Sequence, residues 1–402
     1  MKRPNRLVGS LMLTLLGAVA PGCGVPDEED AVGNTSQEIT NGAASSLGFI
    51  VTIGDTHHCS GTLVSNTAVL TAAHCAAPGD SMPVTFHGVP PAGGGEPTTV
   101  TIEGFVLSRH PSWAGGVPND VSLVRLLEPA TSRVNVTWPR LSAKVTNGNH
   151  TLVGFGPSGP NCTAPSGVRT QGDAVVALVT SDRIVYNGST HRACSGDSGG
   201  ASLDSGSSRI QGVISAANSS TTHNPGVAQV LSWLGVAVYA NASFSGAAQA
   251  YMEGDHDVGE FIDVTNDAIS SVSVSAGFVL RLWAEGGFWG DTQDYTGNVS
   301  FVGNTMENRT SSLQVLRGVT MYRDVNFEGI QQTFIGPGSY DVASLNVVGN
   351  DQITSMKLAP GVTVVACAEA GFWGDCQSFT GWVSNIGALL DNRISSFTVS
   401  VQ

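Results

Sequence analysis

A chain of 402 residues carries a formal net charge of −14, with 12% charged and 41% hydrophobic residues. Of its 18 basic residues only Lys2, Lys144 and Lys357 are lysines, and so acidic a chain lacks the basic surface that a nucleic-acid partner requires. With 50 glycines and few charges it suits β-structure better than long helices, and it is too apolar to be disordered.

The length predicts two or three domains. Residues 39–235 hold ten acids and nine bases, whereas residues 236–402 hold 17 acids and six bases, so a nearly neutral part precedes an acidic one. Seven cysteines leave at least one outside any intramolecular pair.

Lys2, Arg3 and Arg6 precede an apolar run over residues 7–20. That run is short for a membrane span but suits a secretory core, so residues 1–22 read as an export signal. Two readings of its end stay open. Ala18-Val19-Ala20 is a small-residue cleavage site, although Pro21 follows it directly. Ala20-Pro21-Gly22-Cys23 resembles a bacterial lipobox with Ala20 where Leu is usual, in which Cys23 would be acylated and attach the chain to a membrane. Residues 23–38, with Asp27-Glu28-Glu29-Asp30, read as a tether or propeptide.

Three segments then follow in the order His, Asp, Ser. His74 lies in Leu70-Thr71-Ala72-Ala73-His74-Cys75, Asp120 precedes the strand-like alternation of residues 121–126, and Ser198 lies in Gly196-Asp197-Ser198-Gly199-Gly200. A serine hydroxyl attacks well only when a neutral imidazole takes its proton, and that imidazole needs a carboxylate to fix its tautomer. Glycines beside the serine let the amides of Gly196 and Ser198 turn toward one oxyanion.

These segments resemble the chymotrypsin/trypsin-like serine proteases over residues 39–234, as do Gly154-Phe155-Gly156, residues 210–215 and Pro225-Gly226-Val227. The resemblance implies two six-stranded antiparallel barrels with the catalytic residues between them, acting on protein or peptide substrates. It also implies activation by cleavage before Ile39, whose freed ammonium would pair with Asp197 and order the oxyanion hole. The pocket residues it implies are Arg192, Ser215, Ala217 and Gly226. Arg192 stands where cleavage after Lys or Arg would want an acid, so that preference is not expected. Either the arginine receives an acidic side chain, or it turns outward and leaves a small neutral pocket. In the first case the enzyme could release Ile39 itself, since Glu38 precedes it. The resemblance implies a Cys59–Cys75 bridge. Cys194 lacks its usual downstream partner, which leaves Cys162 to pair with it.

The acidic part repeats. Asn266-Asp267-Ala268-Ile269-Ser270-Ser271 recurs from Glu307, Asn350 and Asp391, at spacings of 41, 43 and 41 residues. Before each copy an aromatic is followed by Phe and Gly: Tyr239, Phe244, Gly246; Trp283, Phe288, Gly290; Tyr322, Phe327, Gly329. The fourth reads Cys367, Phe372, Gly374, and Cys376 completes a candidate hairpin-bridging disulfide. This pattern resembles the βγ-crystallins, and implies two Greek-key domains at 236–317 and 318–402. The whole chain is therefore expected to be all-β, a trypsin-like double barrel followed by two Greek-key βγ-crystallin domains.

Calcium takes hard oxygen ligands, which each polar loop can offer as a hydroxyl and a carbonyl two residues before it. The expected ligands are Ser270 with Ala268, Ser311 with Arg309, Thr354 with Gln352, and Ser395 with Arg393. Arg309 and Arg393 would set a cation beside a cation, so the first and third repeats are expected to hold the better loops. Polar turns that merely close each Greek key are the other reading. The functional expectation is an exported or surface-anchored serine endopeptidase with a calcium-binding tail; the alternative is a calcium-dependent coat or adhesion protein with a protease-like scaffold.

Overall fold

Period-two alternation builds the first barrel. In the strand Thr98–Arg109, Ile102, Gly104 and Val106 are buried while Thr101 and Glu103 face solvent. A computed structural model describes residues 39–402 except 56–58, 159, 164, 165 and 190. The export signal, the tether, Cys23 and Glu38 lie outside the described residues. Strands Ile50–Ile53, Cys59–Ser65, Ala68–Thr71, Ser122–Leu126, Thr98–Arg109 and Ser81–Val89 close a barrel in that order. Its interior is filled by Ile53, Leu63, Val69, Val84, Phe86, Ile102 and Val124.

A second set of six strands follows in the order Thr221–Asn224, Ile184–Asn187, Thr170–Val179, Asn149–Gly154, Ala201–Asp204 and Arg209–Val213. Its two ends meet at a bridge between Gly212 and Gly226, where the Val213 amide donates to the Pro225 carbonyl at 3.1 Å. Glycine suits this closure, because a Cβ on Gly212 would come within 2.9 Å of that carbonyl oxygen.

The only α-helix among the described residues, Val227–Leu234, is eight residues long and runs straight into the strand Gly235–Asn241. There is no linker. The second barrel's sheet instead continues through Arg140–Leu141, where Leu141 pairs with Ala250 of the first repeat.

Each pair of repeats exchanges its third strand. Gly254–His256 pairs with Ser312–Tyr322, and Asn298–Val299 pairs with Ser271–Val274. Gly338–Tyr340 with Ser396–Val401, and Trp382–Val383 with Ser355–Leu358, repeat the exchange in the second pair. The result is two Greek-key domains, each with two sheets. Ser312–Tyr322 serves both: residues 312–317 pair with Phe278–Glu285, and residues 318–322 with Gln331–Ile335.

The repeated pattern has a local cause. Phe244, Phe288, Phe327 and Phe372 all adopt positive φ, as do the glycines two residues on, which folds each hairpin over. The final serine of every polar segment pins that fold. Ser271, Ser312, Ser355 and Ser396 accept from the four phenylalanine amides at 2.9–3.1 Å, and donate to the carbonyls of Asn241, Glu285, Asp324 and Glu369. Asp267, Asn308, Asp351 and Asn392 are left-handed, a conformation that Asn and Asp tolerate.

The tail is packed against both barrels. His110 lies between Trp233 at 5.3 Å and Trp382 at 5.6 Å, and burial pushes its pKa down to about 4. Buried Arg317 pairs with Glu253 at 2.8 Å and donates to the carbonyls of Pro360 and Gln402. Glu253 also pairs with Arg125 of the first barrel at 3.6 Å, and all three side chains line a cavity of about 200 Å³. Trp382→Ala is expected to admit water to His110 and raise its pKa toward the ordinary range, at a cost of about 1–3 kcal/mol in stability. Histidine NMR titration and urea unfolding measure both; an unmoved His110 pKa would show that Trp382 does not shield it.

Candidate active site

His74 is set on a short 3-10 turn, Ala73–Cys75, that the Cys59–Cys75 disulfide ties to the strand Cys59–Ser65. Its backbone amide donates to Asp120 Oδ1 at 2.9 Å, and its ring Nδ1 lies 2.7 Å from Asp120 Oδ2. The side chain of Asp120 is 2% exposed while that of His74 is 42% exposed, so a buried carboxylate orients an accessible imidazole. Asp120 Oδ2 also accepts from Ser215 Oγ at 2.6 Å. With Nδ1–H directed at the carboxylate, Nε2 keeps a lone pair.

Ser198 sits on the loop between Cys194 and the strand Ala201–Asp204, and its hydroxyl donates to the Ser215 carbonyl at 3.3 Å. Ser215 thus touches two of the three residues. Gly199 has φ +87°, and a Cβ there would fall 2.0 Å from the Ser60 carbonyl oxygen, so only glycine fits beside the serine. Sequence reasoning missed Ser60. Its hydroxyl donates to the Gly196 carbonyl at 2.6 Å and accepts from the Phe155 amide at 2.9 Å, while its own amide donates to the Ser198 carbonyl at 2.7 Å. It ties the serine loop to both barrels. Its neighbours in sequence gave no sign of this, because every partner is distant along the chain.

Ile39 and Asp197 are brought together. Both are fully buried, and Asp197 accepts from the amides of Gly156 at 2.8 Å, Cys194 at 2.9 Å, and Ile39. Burial outweighs these donors and pushes its carboxyl pKa up to about 7. A Cβ on Gly154 would lie 2.2 Å from Asp197 Oδ1, which explains the glycine there.

Half-buried Arg192 donates from Nη1 to the Asn218 carbonyl at 3.4 Å, and its backbone pairs with Thr40. Ala217 pairs with Thr222, while Gly226 caps the helix, its amide donating to Gln229 Oε1 at 2.8 Å. Cys162 and Cys194 are bonded, tying the 156–169 loop to the serine loop, and Cys367 and Cys376 are bonded across one hairpin register. Among the described residues, Cys59, His74 and Cys75 are the one group of three His, Cys, Asp or Glu within reach of a common metal ion, but its two sulfurs are bonded to each other.

In the tail, the polar loops of each domain face one another. Ser270 donates to Glu307 at 2.9 Å and Ser311 to Asp267 at 3.1 Å; Thr354 donates to Asn392 at 3.3 Å and Ser395 to Asp351 at 2.9 Å. Glu307 Oε2, Asn350 Oδ1 and Asp391 Oδ1 are buried without a hydrogen-bond partner. Orphaned oxygens of this kind fit a hard cation. Arg309 and Arg393 point elsewhere: their guanidinium groups pair with Asp291 at 3.1 Å and Asp375 at 3.4 Å, on the hairpin of their own repeat.

The sequence profile of the family described as Trypsin matches residues 33–234, half of the chain. The chain belongs to the trypsin family. Cationic trypsin-3 of Rattus norvegicus is 30% identical over 230 residues, covering 51% of this chain and 86% of the rat protein. Development-specific protein S of Myxococcus xanthus is 28% identical over 174 residues, covering 41% of this chain and 98% of that protein. A crystal structure of a βγ-crystallin domain from Clostridium beijerinckii matches at 24% identity with a TM-score of 0.20, covering 20% of this chain and 94% of that one. The molecule is thus a trypsin-family domain followed by two Greek-key domains, in a region that is similar to protein S.

Proposed function

We propose that this chain is an exported serine endopeptidase whose crystallin tail binds calcium. The observation that carries the catalytic half is the 2.7 Å contact of His74 Nδ1 with buried Asp120, with Ser215 bonded to both Asp120 and Ser198. In this reading Asp120 holds the imidazole in the tautomer whose Nε2 can accept a proton. The Ser198 hydroxyl leaves the Ser215 carbonyl, gives its proton to Nε2 and attacks the scissile carbonyl. The amides of Gly196 and Ser198 hold the oxyanion. His74 then protonates the departing amine, and water hydrolyses the acyl-enzyme by the same steps. The contact of Arg192 with Asn218 supports a small neutral or acidic side chain in the primary pocket, not Lys or Arg. Three disulfides suit an oxidising compartment and so support export. Fluorophosphonate labelling tests the catalytic reading: chain cleaved before Ile39 is expected to be labelled at Ser198. Absence of label on the cleaved chain would favour a scaffold instead.

Calcium, when bound, would neutralise and cross-link the paired polar loops of each domain. The residues that would hold it are Ser270, Ser311, Thr354 and Ser395 with the carbonyls of Ala268, Arg309, Gln352 and Arg393. The orphaned oxygens of Glu307, Asn350 and Asp391 support this reading. Millimolar calcium is expected to stabilise the tail by roughly 3–4 kcal/mol if it exceeds Kd several hundred-fold. Thermal unfolding of the full chain in calcium and in chelator measures this, and identical Tm values would remove the metal from the proposal.

A further inference from the structure

The second and fourth repeats share a constellation that the first and third lack. Their hairpin tips are identical in sequence, Gly287-Phe288-Trp289-Gly290-Asp291 and Gly371-Phe372-Trp373-Gly374-Asp375. Each is followed by an arginine in the polar segment, Arg309 and Arg393. In the first and third repeats the tryptophan position is held by Ser245 and Glu328, the aspartate position by Ala247 and Ile330, and the arginine position by Ala268 and Gln352.

The two copies have the same geometry. Trp289 is 73% and Trp373 74% exposed, the most open of the large hydrophobic side chains among the described residues. Each indole stands beside the glycine two residues before it, where an added Cβ would meet Cδ1 at 3.6 Å in one copy and 3.4 Å in the other. Trp289 and Asp291 are two apart at the start of the strand Trp289–Tyr295, and Trp373 and Asp375 at the start of Trp373–Thr380, with a positive-φ glycine, Gly290 or Gly374, between the members of each pair. The arginine is held in place from two sides. Arg309 bonds Asp291 and the Thr305 carbonyl; Arg393 bonds Asp375 and the Leu389 carbonyl.

We propose that these tips are a matched pair of binding platforms for a neutral polysaccharide. A flat indole face is electron-rich and attracts the polarised C–H face of a sugar ring. Two residues along the chain from each indole, a carboxylate offers acceptors and the guanidinium bonded to it offers donors, the complement that ring hydroxyls need. Each Asp–Arg pair is neutral, so it attracts no net charge. The tail around it holds 17 acids against six bases, which repels acidic polymers and anionic membranes. Those two facts favour an uncharged glycan over a lipid surface. One platform on each domain, with the domains joined through the shared strand Ser312–Tyr322, gives a polymer two points of attachment. The protease would then be held on its substrate's surroundings by its tail. This inference needs neither calcium nor a working protease.

Sedimentation of the full-length Ser198→Ala chain tests it, with insoluble chitin and insoluble β-1,3-glucan as neutral probes. Phosphatidylglycerol vesicles and a concentration series for self-association serve as the competing surfaces. The chain is expected to sediment with at least one neutral polysaccharide. Trp289→Ala and Trp373→Ala singly are each expected to weaken binding about 10-fold, and together by about 100-fold or more. Both rings are exposed, so unfolding temperature and circular dichroism should stay unchanged, and Trp→Tyr at either position should retain most binding. Undiminished binding by the double variant would overturn the proposal. So would failure to sediment with either polysaccharide, partition into vesicles instead, or Trp-dependent self-association.

Discussion

Replacing Ser198 with Ala is expected to lower kcat for peptide hydrolysis by about a million-fold with little change in KM, because the hydroxyl acts only in the chemical step. Asp120→Asn is expected to cost about 10⁴-fold, for a reason visible in the hydrogen bonds. Asp120 Oδ1 accepts from the His74 amide, while Oδ2 accepts from His74 Nδ1 and Ser215 Oγ. An asparagine can keep its oxygen on the backbone amide only by turning its NH₂ group toward the ring. That donor forces the proton from Nδ1 to Nε2, where it blocks the base. Steady-state assays on peptides with Glu, Ala or Arg before the scissile bond would read both the rate loss and the pocket. A variant that keeps a tenth or more of the rate would remove that residue from the mechanism. Fastest cleavage after Arg would overturn the reading of Arg192.

What was legible in the sequence was what short segments encode by themselves. Gly199 is glycine because its φ is +87° and a side chain would strike Ser60, so the motif around Ser198 carries its geometry in its composition. The Greek-key repeats were legible for the same reason, since Phe288 and Gly290 fold a hairpin that Ser312 pins nearby. Contacts between distant segments were not. Ser60, the Leu141–Ala250 pairing and His110 between Trp233 and Trp382 depend on how whole units dock, which no local pattern records. Arg192 and Arg309 show the limit for single side chains. Residue type placed a cation at each position, but the Asn218 carbonyl and the Asp291 carboxylate decide where the guanidinium points.

Cleavage before Ile39 is expected to change how stability depends on pH. In the uncleaved chain Asp197 faces a peptide N–H from Ile39, and burial holds its carboxyl pKa at about 7, against about 3.9 in an unfolded chain. Between those two values the folded state keeps a proton that the unfolded state has released, so stability falls as pH rises from 4 to 7 and then levels off. The loss is roughly 4 kcal/mol at most, from about three pKa units. Cleavage replaces the peptide N–H by an ammonium. In the same dry pocket that positive charge favours the carboxylate and draws its pKa back down, so this loss is abolished. His110 works in the opposite direction, since a neutral buried imidazole loses stability as pH falls from about 6.5 toward 4. It is present in both forms and cancels in their difference. Urea unfolding of the Ser198→Ala chain, before and after cleavage at that bond, should show the cleaved form gaining on the uncleaved form by about 3 kcal/mol from pH 5 to pH 8. A gap that is flat in pH would mean that Asp197 does not sense the new terminus, and the oxyanion loop would then need another cause for its order.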